Sequence, residues 1–242
     1  MLNSLAKVFR EFLRNKKNKS RKIFCISFQR TGTTSVGEFF RIFGYASRGW
    51  PECEKNDWSQ LWYDGDYESI FSSKDFLSGQ VFEDSPWWHP EFYKVLFHRF
   101  PDSKFILLMR DPNKWFASML SHSSGKIIGN DKRHCKIYRR ELEFYSLLES
   151  NSIACPSESR HSKQISLNEN EKHYKGIYKL HNREVVDFFE RVSPNSLFTC
   201  RLEDPYKWQK LGQFFGINVP PYFEVHKNKS KLLEQPPPKI LP

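Results

Sequence analysis

A chain of 242 residues with 38% apolar content and 22 phenylalanines is long enough for one domain with a real core, in which aromatic side chains carry much of the burial. Its formal charge of +10 comes without a zinc-finger or RNA-binding signature, and the densest basic run, Arg14 to Lys22, precedes the first predicted strand, so no nucleic-acid partner is expected. The five cysteines, Cys25, Cys53, Cys135, Cys155 and Cys200, are widely spaced with no C-x-x-C, which argues against a metal site, and no run reaches the roughly 18 apolar residues of a membrane span.

Residues 1–20 read as a basic helical lead-in. The stripe Leu2, Leu5, Phe9, Phe12 and Leu13 suits packing on protein or a weak membrane-surface contact through residues 2–13. No signal-peptide core is visible there, so the expectation is a cytoplasmic protein. Cys25 and Cys200 fall in apolar runs and are expected to be buried free thiols.

The first strand is predicted at about 22–28, followed by the loop Gln29 to Ser35 and a helix. That helix carries Val36, Phe39, Phe40 and Phe43 at helical spacing and stops at Gly44. Arg30, Thr31, Gly32, Thr33, Thr34 and Ser35 gather a cation, hydroxyls and a glycine at a helix start, where first-turn N–H groups and the helix dipole favour a phosphate or sulfate. The loop is not a Walker A sequence. Ser27 stands where the first glycine belongs, and Thr33 stands in the lysine position. The basic residue, Arg30, precedes the glycine instead.

Residues 45–79 form a long acidic-aromatic connection with short helices, in which Trp50, Trp58, Trp62 and Tyr63 either line a cleft or fill a core. A strand near 80–83 leads to Glu83, Asp84, Ser85, Pro86, Trp87, Trp88 and His89, and a helix over about 90–100 buries Phe92, Val95, Leu96 and Phe100. Lys104 to Met109 is a short apolar strand. After it, Asp111 fits a helix cap, Pro112 the first turn, and Ser118 lies two turns along that helix, eight residues from Arg110. Ligands of open α/β sheets bind at this strand edge, and arginine offers a planar fork to a phosphate.

Taken together, Phe28-Gln29-Arg30-Thr31-Gly32-Thr33-Thr34-Ser35 and Arg110-Asp111-Pro112 with Ser118 resemble the two phosphate motifs of the sulfotransferases that use 3′-phosphoadenosine 5′-phosphosulfate (PAPS). The family usually has lysine where Arg30 stands and proline where Gln29 stands. The resemblance implies that the first loop holds the 5′-phosphosulfate and that Arg110 and Ser118 hold the 3′-phosphate. It also implies that the C-terminal segment with Lys227, Asn228 and Lys229 supplies further cations, and that no metal takes part. The implied fold is α/β, a three-layer α/β/α sandwich with a mostly parallel central sheet of the P-loop nucleotide-fold type. A positive field suits so anionic a co-substrate.

Sulfuryl transfer to a hydroxyl or amine needs a base for the acceptor proton. Different branches of the family place an aspartate, a glutamate or a histidine near this point, which leaves Asp84, Glu83 and His89 as catalytic candidates beside Arg30. Strand alternation sends Glu83 and Asp84 to opposite faces, so one of them is expected to face the site. The other then serves structure or caps the next helix.

Residues 121–173 are polar, and the resemblance implies that they form the family's variable, acceptor-covering insertion, though 151–170 suits an insertion without a role equally well. They hold one predicted helix over 132–150 and a looser segment over 151–170. A long helix over about 171–192 follows, with Tyr174, Ile177, Tyr178, His181, Val185, Phe188 and Val192 on one side and His181-Asn182 read as structural. The last strand is predicted over 196–200 and the last helix over 205–215, before Gly216. The tail from Pro236 is expected to be extended. The domain is thus expected over 21–235, acting on a small-molecule, glycan or lipid acceptor. Rival readings are a P-loop nucleotide kinase or phosphotransferase and a non-catalytic nucleotide-binding module.

Overall fold

A computed structural model describes residues 21–122, 132–149, 167 and 170–227. The lead-in 1–20, Asn228, Lys229, Cys155 and the proline-rich tail lie outside the described residues. Five strands build one all-parallel sheet: β1 (Ile23–Cys25), β2 (Ser47–Arg48), β3 (Val81–Phe82), β4 (Lys104–Met109) and β5 (Leu197–Arg201), in the order β2-β3-β1-β4-β5. The helices between them are α1 (Thr33–Ile42), α2 (Trp50–Lys55), α3 (Trp58–Asp64), α4 (Tyr67–Ser72), α5 (Lys74–Ser78), α6 (Phe92–Arg99), α7 (Pro112–Ser121), α8 (Lys132–Ile137), α9 (Glu141–Glu149), α10 (Glu171–Val192) and α11 (Lys207–Phe215).

Alternation along the strands splits the core in two. Ile23, Cys25, Val81, Ile106 and Leu108 pack with Val36, Phe39, Trp208 and Leu211 of α1 and α11 on one face. Phe24, Ile26, Phe82, Phe105 and Leu107 pack with Trp58, Trp87, Tyr178 and Phe189 on the other. A sheet covered on both faces accounts for near-continuous apolar strands and gives the expected three layers. Phe24 sits at the centre of the aromatic side, with ring centroids 5.3 Å from Phe82, 5.4 Å from Trp87 and 5.7 Å from Phe105. Phe24→Ala is expected to lower stability by about 3–5 kcal/mol in denaturant melts, since a fully buried ring leaves a cavity.

The order of the strands fixes where the site lies. β1 and β4 are neighbours, with Cys25 opposite Ile106. The chain leaves β1 toward β3 and β2, and leaves β4 toward β5, so the strand order reverses between the carboxyl ends of β1 and β4.

Three local expectations are corrected. The first strand spans three residues rather than 22–28: Ile26 N–H still bonds Ile106 O at 2.9 Å, after which the Ser27 hydroxyl takes over, donating to Ile106 O at 3.2 Å and accepting from Leu108 N–H at 2.7 Å. The connection 45–79 contains a two-residue strand, β2, paired with β3. The helix predicted over 132–150 is two helices, broken at Tyr138 to Arg140, where Arg139 takes φ 55° and Arg140 turns inward. Cys25, Cys53, Cys135 and Cys200 are buried and free.

Candidate active site

The β1–α1 loop turns through two left-handed residues, Arg30 (φ 65°) and Gly32 (φ 88°). Its φ calls for glycine at position 32, where a Cβ would also press on the movable end of Leu202, 2.8 Å from Cδ1. Gly32 O receives the first helical bonds from Ser35 and Val36 N–H, which makes it the N-cap of α1. The N–H groups of Thr33 and Thr34 come too early in α1 to reach a carbonyl of their own helix, an arrangement that suits a helix start to an anion.

The loop is anchored at successive residues by other elements. His181 Nε2 donates to Ile26 O at 3.0 Å; burial holds this imidazole neutral, with its pKa lowered to about 4. Trp115 Nε1 donates to Gln29 O at 2.9 Å, and Arg110 Nη1 reaches Arg30 O at 3.4 Å. The Thr31 hydroxyl turns inward and donates to Phe28 O, so this threonine braces the turn with its side chain and offers a ligand only its backbone. Thr33 and Ser35 are largely buried at the start of α1 and Thr34 is half-buried.

The second motif folds as its sequence predicts. The Asp111 carboxylate caps α7, accepting from Asn113 N–H at 3.0 Å and Lys114 N–H at 3.1 Å. This puts Arg110 at the end of β4 and Ser118 on the buried side of α7. Arg30 Nε donates to Ser118 Oγ at 3.2 Å. The two motifs, 88 residues apart, therefore share one cleft. Tyr178 of α10 fixes the backbone of Arg110 at both ends: its hydroxyl accepts from Arg110 N–H at 2.7 Å and donates to Arg110 O at 3.0 Å. The Tyr178 ring lies parallel to Trp115, centroids 4.4 Å apart.

Electrostatically the site gathers two arginines, Arg30 and Arg110, with the carboxylates of Asp84 and Glu203 beside them. Burial and then the neighbouring Arg110 charge lower the pKa of Arg30, while Asp84 works in the opposite sense. Glu203 approaches Arg110 Nε at 3.9 Å. His122, one turn beyond Ser118, has its pKa lowered by burial and then by the charge of Arg30. Arg30 lies within the field of Arg110, and each offers an anion a planar fork.

The acid segment sends its two carboxylates apart, though not by strand alternation: β3 ends at Phe82, and the backbone turns left-handed at Asp84. Glu83 turns to the α1 side, where its carboxylate occupies the room left by two glycines: a Cβ at Gly49 would come within 2.3 Å of Glu83 Oε1, and one at Gly37 within 2.7 Å of Glu83 Cγ. Arg41 Nη2 lies 3.4 Å from Glu83 Oε1. Burial, helped by the Asp84 charge, pushes the Glu83 pKa up to about 8. Asp84, with φ 70°, turns the other way. Burial raises its pKa, and the Ser85 N–H at 2.8 Å, the Trp88 side chain and the Arg30 charge pull it back. His89 is buried, pairs with Ser85 Oγ at 3.3 Å, and stands edge-on to Trp62 with centroids 4.2 Å apart.

A family comparison decides what such a cleft belongs to: the sulfotransferase domain matches residues 22–232. The chain belongs to the sulfotransferase domain family. Sulfuryl transfer is accordingly the chemistry of this enzyme. Among solved structures it is similar to a sulfotransferase from Alicyclobacillus acidocaldarius, at 14% identity and a TM-score of 0.45, covering 86% of this chain and 87% of that one. No curated protein matches it.

The remaining predicted residues of this sulfotransferase fall as follows. Lys227 returns to the loop: its N–H donates to Ser35 Oγ at 3.0 Å and its ammonium lies 3.5 Å from Glu38 Oε1. Lys229 lies outside the described residues. Trp87 and Trp88 are core residues, 0% and 2% exposed. Trp58 and Trp62 are also buried, whereas Trp50 is half exposed. No helix among the described residues is long and apolar enough to cross a membrane. Sequence reasoning missed the anchoring roles of Trp115 and Tyr178, the Gln29–Tyr138 hydrogen bond, and His122 beside Arg30. Only Tyr178 carried a signal, as part of the apolar face of a long helix, and that signal concerns its ring and not its hydroxyl.

Proposed function

We propose that this sulfotransferase takes its sulfuryl group from PAPS and passes it to a hydroxyl or amine acceptor, with Asp84 as the general base. The observation that carries the reading is the 3.2 Å contact between Arg30 Nε and Ser118 Oγ, which brings the two phosphate motifs to one place with Asp84 within the field of Arg30.

The donor set fits the co-substrate. Arg30 and the α1 N–H groups would hold the 5′-phosphosulfate, and Arg110 with Ser118 the 3′-phosphate. PAPS supplies an activated sulfuryl group on a phosphate leaving group. The protein's part is placement and charge. Asp84 takes the proton from the attacking acceptor atom. Arg30, charged at any working pH, stabilises the negative charge that collects on the leaving oxygens but donates no proton to them. Tyr178, Trp115 and His181 hold the loop and Arg110 in place, so that little reorganisation is left for the reaction itself.

Calorimetry with 3′-phosphoadenosine 5′-phosphate (PAP) and with ATP tests the nucleotide. PAP is expected to bind far more tightly, and equal or tighter binding of ATP would overturn the assignment. Arg110→Ala should weaken PAP about 10- to 100-fold, the worth of a charge-assisted hydrogen bond, and leave 5′-AMP nearly unchanged. Loss of both to the same degree would mean that Arg110 shapes the loop rather than reading a 3′-phosphate. A screen of hydroxyl and amine compounds with labelled PAPS identifies the acceptor.

A further inference from the structure

We propose that Tyr138 is a positioning residue for the transfer reaction: it ties the nucleotide loop to the wall that carries Asp84, through the short helix α8. The inference rests on the reading of the β1–α1 loop as the nucleotide site.

Tyr138 lies at the end of α8, fully buried. On its inner side its hydroxyl accepts from Gln29 Nε2, the residue before Arg30. Its ring packs 5.8 Å from Phe28 and 4.8 Å from Tyr174, and its carbonyl accepts from His173 Nε2 at 2.6 Å. Arg140, two residues on, donates to Tyr174 OH at 2.8 Å, which holds the break between α8 and α9 against α10. Burial keeps the Tyr138 phenol protonated, so the link is a neutral hydrogen bond at any working pH.

The outer side of the same helix grips α3. Lys136 Nζ donates to Tyr63 O at 2.9 Å and sits over the rings of Trp62 and Tyr63, 4.9 and 4.7 Å from their centroids. Lys132 covers Tyr63 as well, at 4.9 Å. Trp62 in turn abuts His89, His89 pairs with Ser85 Oγ, and the Ser85 N–H bonds Asp84 Oδ1. A continuous packed and hydrogen-bonded path thus runs from Gln29 through Tyr138, Lys136, Trp62, His89 and Ser85 to Asp84. The sheet joins Arg30 and Asp84 at the back of the cleft, through β1 and β3. Helix α8 joins them at the side. Among the described residues, the Tyr138 hydroxyl anchors Gln29 from the region 121–173, while Ile106 of β4 and His181 of α10 hold Ile26, and Trp115 and Arg110 of the β4–α7 motif hold the Gln29 and Arg30 carbonyls.

A link of this kind couples the two halves of the site. Seating a ligand on the loop orders Gln29, and the order is passed through Tyr138 to α3 and the acid segment. By linkage the acceptor side returns the same effect to the nucleotide.

Hydrogen exchange on the full chain, with and without PAP, tests this. In the unaltered protein PAP is expected to slow exchange over 28–35 and also over 58–64, 84–89 and 132–138. In Tyr138→Phe, PAP should bind within about threefold of its original affinity, while the slowing stays confined to 28–35. With a screened acceptor, the variant should raise the acceptor KM at saturating PAPS about fivefold or more and the PAPS KM at saturating acceptor by the same factor, while PAP affinity without acceptor stays nearly unchanged, a split that a general loss of stability would not produce. Gln29→Ala should give the same pattern, and the double variant should add nothing further. It also provides the answer if Tyr138→Phe folds poorly. Slowing over 58–64 and 84–89 that survives in the variants overturns the proposal. If the unaltered protein does not bind PAP, the nucleotide reading fails, yet the link is still read without ligand: faster exchange in Tyr138→Phe over both 28–35 and 58–64 upholds it, and a change confined to 136–140 overturns it.

Discussion

Asp84→Asn is expected to lower kcat/KM for the acceptor by about 10²- to 10⁴-fold, the usual range for removal of a general base. Asparagine keeps the size of the side chain and can still accept from Ser85 N–H, so the loss reports the missing base and not a collapsed site. The pH profile adds a second reading. A base must be deprotonated to act, so the rate rises with pH through its pKa. Burial raises the Asp84 pKa above the ordinary carboxylate value, so the acid limb of the wild-type profile should lie above that value, and it should vanish in Asp84→Asn. Glu83→Gln is the control. Glu83 faces Gly37, Gly49 and Arg41, away from Arg30, and a pKa near 8 leaves its carboxyl largely protonated at neutral pH, unfit to take a proton. That variant should retain activity within about threefold, on the scale on which 1.4 kcal/mol is tenfold. If Glu83→Gln is the crippled one, the two roles are exchanged. If neither loses more than about tenfold, the base lies elsewhere, with His89 the next to test.

What the sequence made legible is what depends on neighbours in the chain. The strand–loop–helix at Arg30 and the strand–cap–helix at Arg110 each carry their own signals: apolar runs, a left-handed glycine, an aspartate before a proline. Both were readable to within a few residues, and with them the place of Arg30, Arg110 and Ser118. The features that escaped are settled across the fold. Strand β2 is two residues long, and it is a strand only because β3 offers it a ladder. The break at Tyr138 to Arg140 contains neither glycine nor proline. It exists because Arg140 turns in to Tyr174 and Tyr138 turns in to Gln29, contacts that span 34 and 109 residues. Alternation predicted Glu83 and Asp84 on opposite faces, but β3 ends at Phe82 and the left-handed turn at Asp84 parts them instead. Which face held the cleft followed only from where α1 and its Gly37 came to rest.

The other large effect is expected at Arg30. Arg30→Ala should lower kcat by about 10²- to 10³-fold, as removal of a group that stabilises developing negative charge does elsewhere, with a smaller effect on PAP affinity because the helix start and Arg110 remain. Arg30→Lys should recover part of the loss. Lysine restores the charge, but as a compact ammonium it cannot reproduce the directed Nε–H bond to Ser118. The pH profile then separates charge from shape. The Arg30 cation lowers the Asp84 pKa, so removing it lets that pKa rise, and the acid limb of Arg30→Ala should move to higher pH, whereas that of Arg30→Lys should stay near its original position. An arginine that served only to brace the loop would produce the same limb in both variants. A fall in kcat with the limb unmoved in Arg30→Ala would therefore detach Arg30 from Asp84 and leave it a structural part of the turn, with the charge on the leaving oxygens met by the α1 N–H groups alone.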